Sequence, residues 1–317
     1  MANISVDISR PDDDPPPPAR RHPNTCPLCS SHYRDDELRD LLRVCAQCGF
    51  HFAVGARERI DQLVDAGTFV EIDADLRSTD PLAFVDLKPY TERLAAAELE
   101  TGLGDVVVTG SGTIRGHGVA LSVMDFGFMG GSMGSVMGEK FARACDLAIV
   151  HNVPLVSVAA SGGARMQENI LALMQMGKTV AAIDALHEAG VPFVSVLTHP
   201  TTGGVIASFA ALGDVALAEP GALTSFAGPR VVQQTTRETL PDDFGLAEAN
   251  LRLGHIDAVV PRPQLVDTLG RLLAVLAGHT ATAAIEVSLS PNGDGGSFGL
   301  GRFRGLWRRW SDGHGPG

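Results

Sequence analysis

The sequence of 317 residues lacks a long apolar run and is short of basic residues, and each lack excludes a class of protein. No stretch of eighteen apolar residues occurs, so no membrane-spanning helix is predicted. Residues 1–20 are rich in Asp and Pro, so no secretory signal is expected and the predicted location is the cytoplasm. The 25 Lys and Arg stand against 37 Asp and Glu, and the net charge of −12 disfavours nucleic acid as the main partner.

The two ends of the chain differ in composition from its middle. Residues 1–22 combine an acidic run with four consecutive prolines, which predicts a disordered leader, and residues 283–317 are rich in Gly, which predicts a mobile tail. Between them, short β-branched runs alternate with helical patterns, as is typical of an α/β fold with crossover connections. The predicted strands are 119–124, 154–160 and 192–198, and the predicted helices are 135–151, 166–189 and 204–217.

A weak internal repeat runs through two of the predicted strands. The sequence VPLVSV at residues 153–158 returns as VPFVSV at residues 191–196, and a Gly-Gly pair follows each copy. Stacked repeated units would bury a shared core. The alternative is that any two buried parallel strands share this composition.

Four of the five cysteines form two close pairs, Cys26 with Cys29 and Cys45 with Cys48. The fifteen residues between the pairs match the spacing of a four-thiolate zinc ribbon. Disulfides or a redox C-x-x-C are the alternatives, and the lack of a secretory signal disfavours them. Because sulfur would fill all four positions, the zinc would be structural rather than catalytic. A zinc ribbon can contact nucleic acid, but the favoured interpretation is a small metal-stabilised domain that covers one edge of the main domain.

Three loops with a Gly-Gly pair, at 129–135, 161–166 and 201–205, each follow a predicted strand and open a predicted helix. Glycine lets a ligand approach the backbone, and the first N–H groups of a helix lack partners inside the helix. Such loops are suited to bind an anion or to stabilise an oxyanion. The phosphate-binding patterns G-x-x-x-x-G-K-[ST] and G-x-G-x-x-G are both absent, which argues against a nucleotide site.

Side-chain candidates for catalysis are weaker than these backbone donors. His199 and Asp214 lie near the third glycine loop and suit either acid-base chemistry or capping of nearby backbone groups. Cys145 lies in a helical pattern, where a role in the core is favoured over that of a nucleophile.

These features together resemble the β subunit family of the bacterial and plastid acetyl-CoA carboxylase carboxyltransferase. The resemblance covers roughly residues 23–275 and implies a crotonase-type superhelix of ββα units over 53–282, with a four-cysteine zinc ribbon over 23–52. The stretches that carry it are FMGGSMGSVMGEKF (128–141), SGGARMQE (161–168), LMQMGKT (173–179), SVLTHPTTGGVIASFA (195–210) and FAGPRVVQQT (226–235).

The resemblance also implies an activity and partners. Family members transfer the carboxyl group of carboxybiotin, carried on the biotin carboxyl carrier protein, to acetyl-CoA and give malonyl-CoA for fatty-acid synthesis. They work with an α subunit of the same fold in an α2β2 assembly, and biotin carboxylase charges the carrier. The expected cofactors are therefore one structural Zn²⁺ and biotin on a partner protein.

The site residues expected from the resemblance lie in the three glycine loops. The peptide N–H groups of Gly163 and Ala164 are the expected oxyanion hole for the thioester enolate. Arg165 is expected either to pair with the CoA phosphates or to anchor its loop. The other residues expected to bind substrate are Gly130, Gly131, Gly162, Gly203 and Gly204.

Two other functions fit the same pattern. A related acyl-CoA decarboxylase subunit would use the same oxyanion hole without biotin. A zinc-ribbon protein on a catalytically idle crotonase scaffold would bind a partner, and salt-sensitive binding to RNA or DNA would indicate it.

Overall fold

The computed structural model describes residues 24–276, so the predicted leader 1–22 and tail 283–317 lie outside the described residues. The chain forms two compact units with a boundary between Phe50 and His51. This boundary falls two residues before the predicted end of the ribbon at 52, because His51 and Phe52 both hydrogen-bond Arg262 of the larger unit.

The smaller unit contains one short helix between its two cysteine turns. This helix, α1 (Asp35–Asp40), begins with three acidic residues, which favour the positive end of the helix dipole. Glu37 accepts a hydrogen bond from the backbone N–H of Arg34 at 2.9 Å and so closes the first turn.

The larger unit is built on one mixed eight-stranded sheet. The strand order is β1, β2, β3, β4, β5, β6, β8, and β7 pairs with the end of β5. The first three strands are antiparallel, and the remaining pairings are parallel. The strands are β1 (Val70–Ile72), β2 (Val107–Ile114), β3 (His117–Met124), β4 (Leu155–Ser161), β5 (Phe193–Thr202), β6 (Val215–Ala218), β7 (Thr224–Ser225) and β8 (Ala258–Val259).

Helices cover both faces of this sheet. Every residue of β2 and of β4 is buried although successive side chains point to opposite faces, so neither face is open to water. Among the described residues, no helix has the length and apolar composition needed to cross a membrane. The helices of this unit are α2 (Ala56–Leu63), α3 (Tyr90–Thr101), α4 (Ser135–His151), α5 (Ile170–Glu188), α6 (Gly203–Ile206), α7 (Pro229–Thr236), α8 (Ala247–Leu253) and α9 (Arg262–Leu276).

The internal repeat corresponds to two adjacent parallel strands. Leu155 pairs with Phe193 and Ser157 with Ser195, so β4 and β5 run in register through the repeated sequence. Helix α5 provides the crossover between them, as a parallel pair requires. The same register brings the two following Gly-Gly loops to the same edge of the sheet.

The prediction of a helix over 204–217 is wrong. Only Gly203–Ile206 is α-helical; a 3-10 turn follows at Phe209–Ala211, and the segment then enters β6. Gly213 explains the break, because a Cβ there would lie 2.9 Å from the Cβ of Ser195. The apolar residues after it therefore pair with β5 as a strand instead of continuing a helix.

The predicted helix over 166–189 also begins later than expected. Met166–Glu168 forms a 3-10 turn, and Asn169 has a φ of 48°, so the α-helix starts only at Ile170. The loop before α5 therefore ends in a 3-10 turn and not in a helix, and this loop forms part of the candidate functional site.

Candidate functional site

The four cysteines of the two pairs come together in the smaller unit. One sulfur atom from each of Cys26, Cys29, Cys45 and Cys48 lies within 4.8 Å of the others. The Sγ atoms of Cys26 and Cys48 are 3.4 Å apart, and those of Cys29 and Cys45 are 3.5 Å apart. A disulfide needs about 2.05 Å between sulfurs, so the disulfide alternative is excluded for these four residues.

The two cysteine turns have the same hydrogen bonds. The N–H of Cys26 donates to the carbonyl of Ser31, and that of Ser30 donates to the carbonyl of Cys26, at 2.8 and 3.0 Å. In the second turn, the N–H of Cys45 donates to the carbonyl of Phe50, and the N–H of Gly49 donates to the carbonyl of Cys45, both at 2.8 Å. Each turn thus points two sulfurs to one side, as a metal knuckle requires.

This sulfur arrangement fits a tetrahedral metal ion. A Zn–S distance of about 2.3 Å implies sulfur-to-sulfur edges of about 3.8 Å, close to the separations observed. Burial would raise the pKa of Cys45, but hydrogen bonds from Tyr33 and from backbone N–H groups lower it to about 6. The thiolate form that a metal binds is therefore favoured at this position.

The three glycine loops meet at the carboxyl ends of β3, β4 and β5. The N–H of Gly162 donates to the carbonyl of Gly130 at 2.9 Å. The N–H of Met133 donates to Gly163, and that of Arg165 donates back to Met133, both at 2.8 Å. These hydrogen bonds join the first loop to the second through a short parallel β-bridge.

The second and third loops touch through glycine. A Cβ on Gly163 would lie 3.2 Å from the Cα of Gly203, and one on Gly203 would lie 2.9 Å from the Cα of Gly163. Both residues have positive φ, 118° and 60°. Side chains at these positions would separate the loops, so the two glycines set the distance between them.

The backbone donors at this junction differ from those predicted. The N–H of Gly163 donates to Ser161 Oγ at 3.0 Å, so this predicted oxyanion donor already has a partner. Among the described residues, no protein acceptor pairs with the N–H of Ala164 or with that of Gly204. A Cβ built on Gly204 would lie 3.5 Å from the nitrogen of Ala164, which places these two donors close together. The two neighbouring N–H groups without a protein acceptor in the described part of the chain are therefore those of Ala164 and Gly204, and of the predicted pair only Ala164 is among them.

Arg165 anchors the loop and is not available to a CoA phosphate. Its side chain is 0% exposed and donates to both carboxylate oxygens of Asp105, at 2.9 and 3.1 Å. It also donates to the backbone carbonyl of Ser132 and contacts Glu168. Of the two roles expected for Arg165, these contacts are those of an anchor for the loop.

Glu168 completes this anchor and was missed from the sequence. It accepts hydrogen bonds from the Tyr90 hydroxyl at 2.7 Å and from the backbone N–H of Ser135 at 2.6 Å. The second contact places a carboxylate at the N-terminus of α4, where it is favoured by the helix dipole. The spacing of Arg165 and Glu168 within one motif was the available signal.

The remaining predicted glycines have different surroundings. A Cβ on Gly130 would meet open space, so this position can face a ligand. A Cβ on Gly131 would overlap the carbonyl of Ala160, which shows that Gly131 serves the packing of the loop against β4. Gly162 is exposed, but its N–H is taken by Gly130.

The side-chain candidates take structural roles. Asp214 accepts a hydrogen bond from the backbone N–H of Phe193 at 2.7 Å, and His199 Nδ1 accepts one from the backbone N–H of Leu223 at 3.2 Å. Both therefore cap backbone groups, the second of the two roles considered for them. Cys145 is 1% exposed, and burial raises the pKa of its thiol, as expected for a core residue.

Comparison with known proteins agrees with this architecture. Residues 54–245 match the model of the carboxyl transferase domain family. The chain is 49% identical over 264 residues to the acetyl-coenzyme A carboxylase carboxyl transferase subunit beta of Trichodesmium erythraeum, covering 83% of this chain and 81% of the relative. It is 51% identical over 254 residues to the subunit of the same name from Opitutus terrae, covering 80% and 87%. The chain therefore belongs to the family of acetyl-CoA carboxylase carboxyltransferase β subunits, as predicted.

Solved structures show the same fold. The transcarboxylase 12S hexamer matches with a TM-score of 0.59 and 30% identity, covering 70% of this chain and 41% of that one. The chain thus spans less than half of the transcarboxylase chain. A Pseudomonas malonate decarboxylase hetero-tetramer matches with a TM-score of 0.58 and 26% identity, covering 70% and 82%. The predicted α/β crotonase-type fold is confirmed.

Proposed function

We propose that the chain provides the acyl-CoA half of an acetyl-CoA carboxylase carboxyltransferase, which moves a carboxyl group from carboxybiotin to acetyl-CoA. The observation that carries this proposal is the adjacent pair of N–H donors of Ala164 and Gly204 at the junction of the glycine loops. Membership of the β subunit family supplies the reaction that these donors would serve.

The donor pair suits the charge that this reaction develops. Carboxylation of acetyl-CoA requires loss of a proton next to the thioester, and negative charge then collects on the thioester oxygen. Fixed N–H donors aimed at that oxygen stabilise the transition state, and each is worth about 10²–10³ in kcat. When bound, carboxybiotin on its carrier protein supplies the carboxyl group. The chain's own part is to hold the thioester and stabilise its enolate.

The loops around the donors are held rigidly before substrate arrives. The buried contacts of Arg165 and Glu168 hold the second glycine loop (161–166, the SGGAR loop) in place. The contact of Gly163 with Gly203 sets the distance between this loop and the third loop. Such preorganisation avoids rearrangement during the reaction. We propose that the thioester and pantetheine pass Gly130, where the backbone is open.

An apolar stripe next to this site supports a partner subunit. Met166, Ile170, Leu173 and Met174 follow a helical spacing along α5 and the turn before it, and their exposed fractions are 63%, 56%, 52% and 62%. A contiguous apolar face of this kind marks a protein interface. We propose that an α subunit of the same fold covers it in an α2β2 assembly. Biotin carboxylase and the carrier protein would then serve the complete enzyme.

The cysteine cluster supports a structural zinc site. Cys26, Cys29, Cys45 and Cys48 would hold one Zn²⁺ with no open position for water. Four free thiols at this distance also suit a reducing compartment, which supports a cytoplasmic location.

The test is biotin-dependent decarboxylation of malonyl-CoA, with the chain alone and after co-expression with an α subunit. Activity is expected only when biotin and the partner are both present. Turnover without biotin would instead favour a decarboxylase, the second candidate, which the likeness to malonate decarboxylase suggests. No turnover in any combination would contradict both enzymatic proposals.

Variants at Gly204 test the donor pair itself. Gly204→Pro removes the N–H, and we expect kcat to fall about 10²–10³-fold. Gly204→Ala is the matched control, because it adds a Cβ near Met176 but keeps the donor. Equal losses of kcat in the two variants would show that crowding, and not the donor, is responsible.

A further inference from the structure

A second charged cluster is buried in the larger unit. Arg59 of α2, Glu219 after β6 and Arg262 of α9 have side chains that are 4%, 2% and 3% exposed. Arg262 donates to both oxygens of Glu219, at 2.8 and 2.6 Å. Burial would raise the pKa of Glu219, but the bonds from Arg262 and the charge of Arg59 lower it to about 2. One carboxylate thus faces two guanidinium groups, and the cluster has an excess of one positive charge.

The two arginines are not equally satisfied. Arg262 forms the bidentate pair with Glu219 and also donates to the carbonyl of Phe52 at 3.0 Å. Nη1 of Arg59 lies 2.8 Å from Glu219, but it is buried and this approach lacks hydrogen-bond geometry. Burial lowers the pKa of Arg59, so the surroundings disfavour its charge. Arg59 thus shares with Arg262 a single carboxylate, and a second anion beside its guanidinium would be stabilised where water is excluded.

A cavity lies beside the cluster and has the size for such an anion. Its accessible volume is about 20 Å³, a little more than the about 10–15 Å³ that one water needs, so it admits only a very small ion or the tip of a larger ligand. Among the described residues, Glu219 is the one acid in its lining. The other lining residues that bear on the argument are Arg59, Arg262, His199, Thr198, Val158 and Met124.

We propose that this cavity binds a small carboxylate monoanion against Arg59. The planar guanidinium fork matches the two oxygens of a carboxylate, and its hydrogen bonds strengthen where water is excluded. One negative charge balances the excess of the cluster, whereas a phosphate dianion would exceed it. The carboxylate can belong to a free small acid or to the end of a larger ligand, and these two sources share the same chemistry.

The test measures formate binding to the full chain. The thermal unfolding midpoint is followed against sodium formate at constant ionic strength, because a ligand that binds only the folded state raises the midpoint in a saturable way. Arg59→Met removes the charge and keeps an apolar stem of similar length. Arg57→Met is the matched control, because Arg57 lies on the same helix with a side chain 56% exposed. We expect the apparent formate affinity to fall at least tenfold in R59M and to stay unchanged in R57M.

Several outcomes would overturn the proposal. Equal and unsaturated shifts in all three proteins would show a general salt effect. If R59M fails to fold, bromide-soaked crystals of the unmodified chain decide the matter, since an anomalous peak beside Arg59 is expected and its absence would refute the site. This measurement needs no turnover, so it stands apart from the carboxyltransferase proposal.

Competition distinguishes the two sources of the carboxylate. If malonyl-CoA displaces formate and acetyl-CoA does not, the site takes the carboxylate end of an acyl group. If neither displaces formate, the site takes a free small acid. Both results would support the proposed anion site.

Discussion

Arg165 provides the most direct test of how the SGGAR loop is held. Arg165→Met keeps most of the side-chain volume but removes the charge that faces Asp105 and Glu168, whose side chains are 0% and 2% exposed. Water cannot replace the guanidinium there, so two buried carboxylates lose their positively charged partner and keep only neutral hydrogen-bond donors. Breaking a buried ion pair from one side costs about 3–5 kcal/mol, and we expect R165M to lose about this much free energy of unfolding.

Urea denaturation followed by circular dichroism measures this loss. Arg93→Met is the matched control, because Arg93 pairs with Asp86 where both side chains are about one-third exposed, 31% and 28%. Its loss should be about 0–1 kcal/mol. Adding Glu168→Gln to R165M should recover part of the stability, since one buried charge is then removed. If R165M is no less stable than R93M, the proposed anchor is wrong.

Two further changes test the metal site and the buried ion cluster. Cys45→Ser should lower the zinc content measured by atomic absorption, whereas Cys145→Ser should leave it unchanged; full zinc in C45S would contradict the four-thiolate site. The folded-state pKa of Glu219 is lowered from 4.5 to about 2, so its stabilisation is present above pH 4.5 and is lost as the pH falls toward 2. The difference in unfolding free energy between wild type and Glu219→Gln should therefore narrow by about 1 kcal/mol from pH 7 to pH 3.5, and a constant difference would refute this reasoning.

Local spacing accounts for what the sequence predicted well. The separation of Cys26–Cys29 from Cys45–Cys48 requires no tertiary information, because each C-x2-C turn closes through its own backbone hydrogen bonds. The repeat over 153–158 and 191–196 likewise marks two strands whose composition reflects burial on both faces. The three glycine loops follow from the strand ends that precede them.

Long-range contacts account for what the sequence did not show. The 204–217 segment has helical composition, but Gly213 packs against Ser195 and redirects the chain into a strand. The hydrogen bond from the N–H of Gly163 to Ser161 Oγ could not be predicted from the motif, because it depends on the turn of the loop. Arg165 could not be assigned to one role because Asp105 lies sixty residues away in the chain.

The cysteine unit has almost no apolar interior of its own. Within residues 24–50, the buried side chains are Cys26, Leu38 and Cys45, so two of the three belong to the cysteine cluster that would hold the metal. A metal ion there would take the place that a hydrophobic core takes in larger domains. A chelator should consequently unfold this unit while the sheet of the larger unit stays intact. The availability of the metal would then control the folding of the cysteine unit alone.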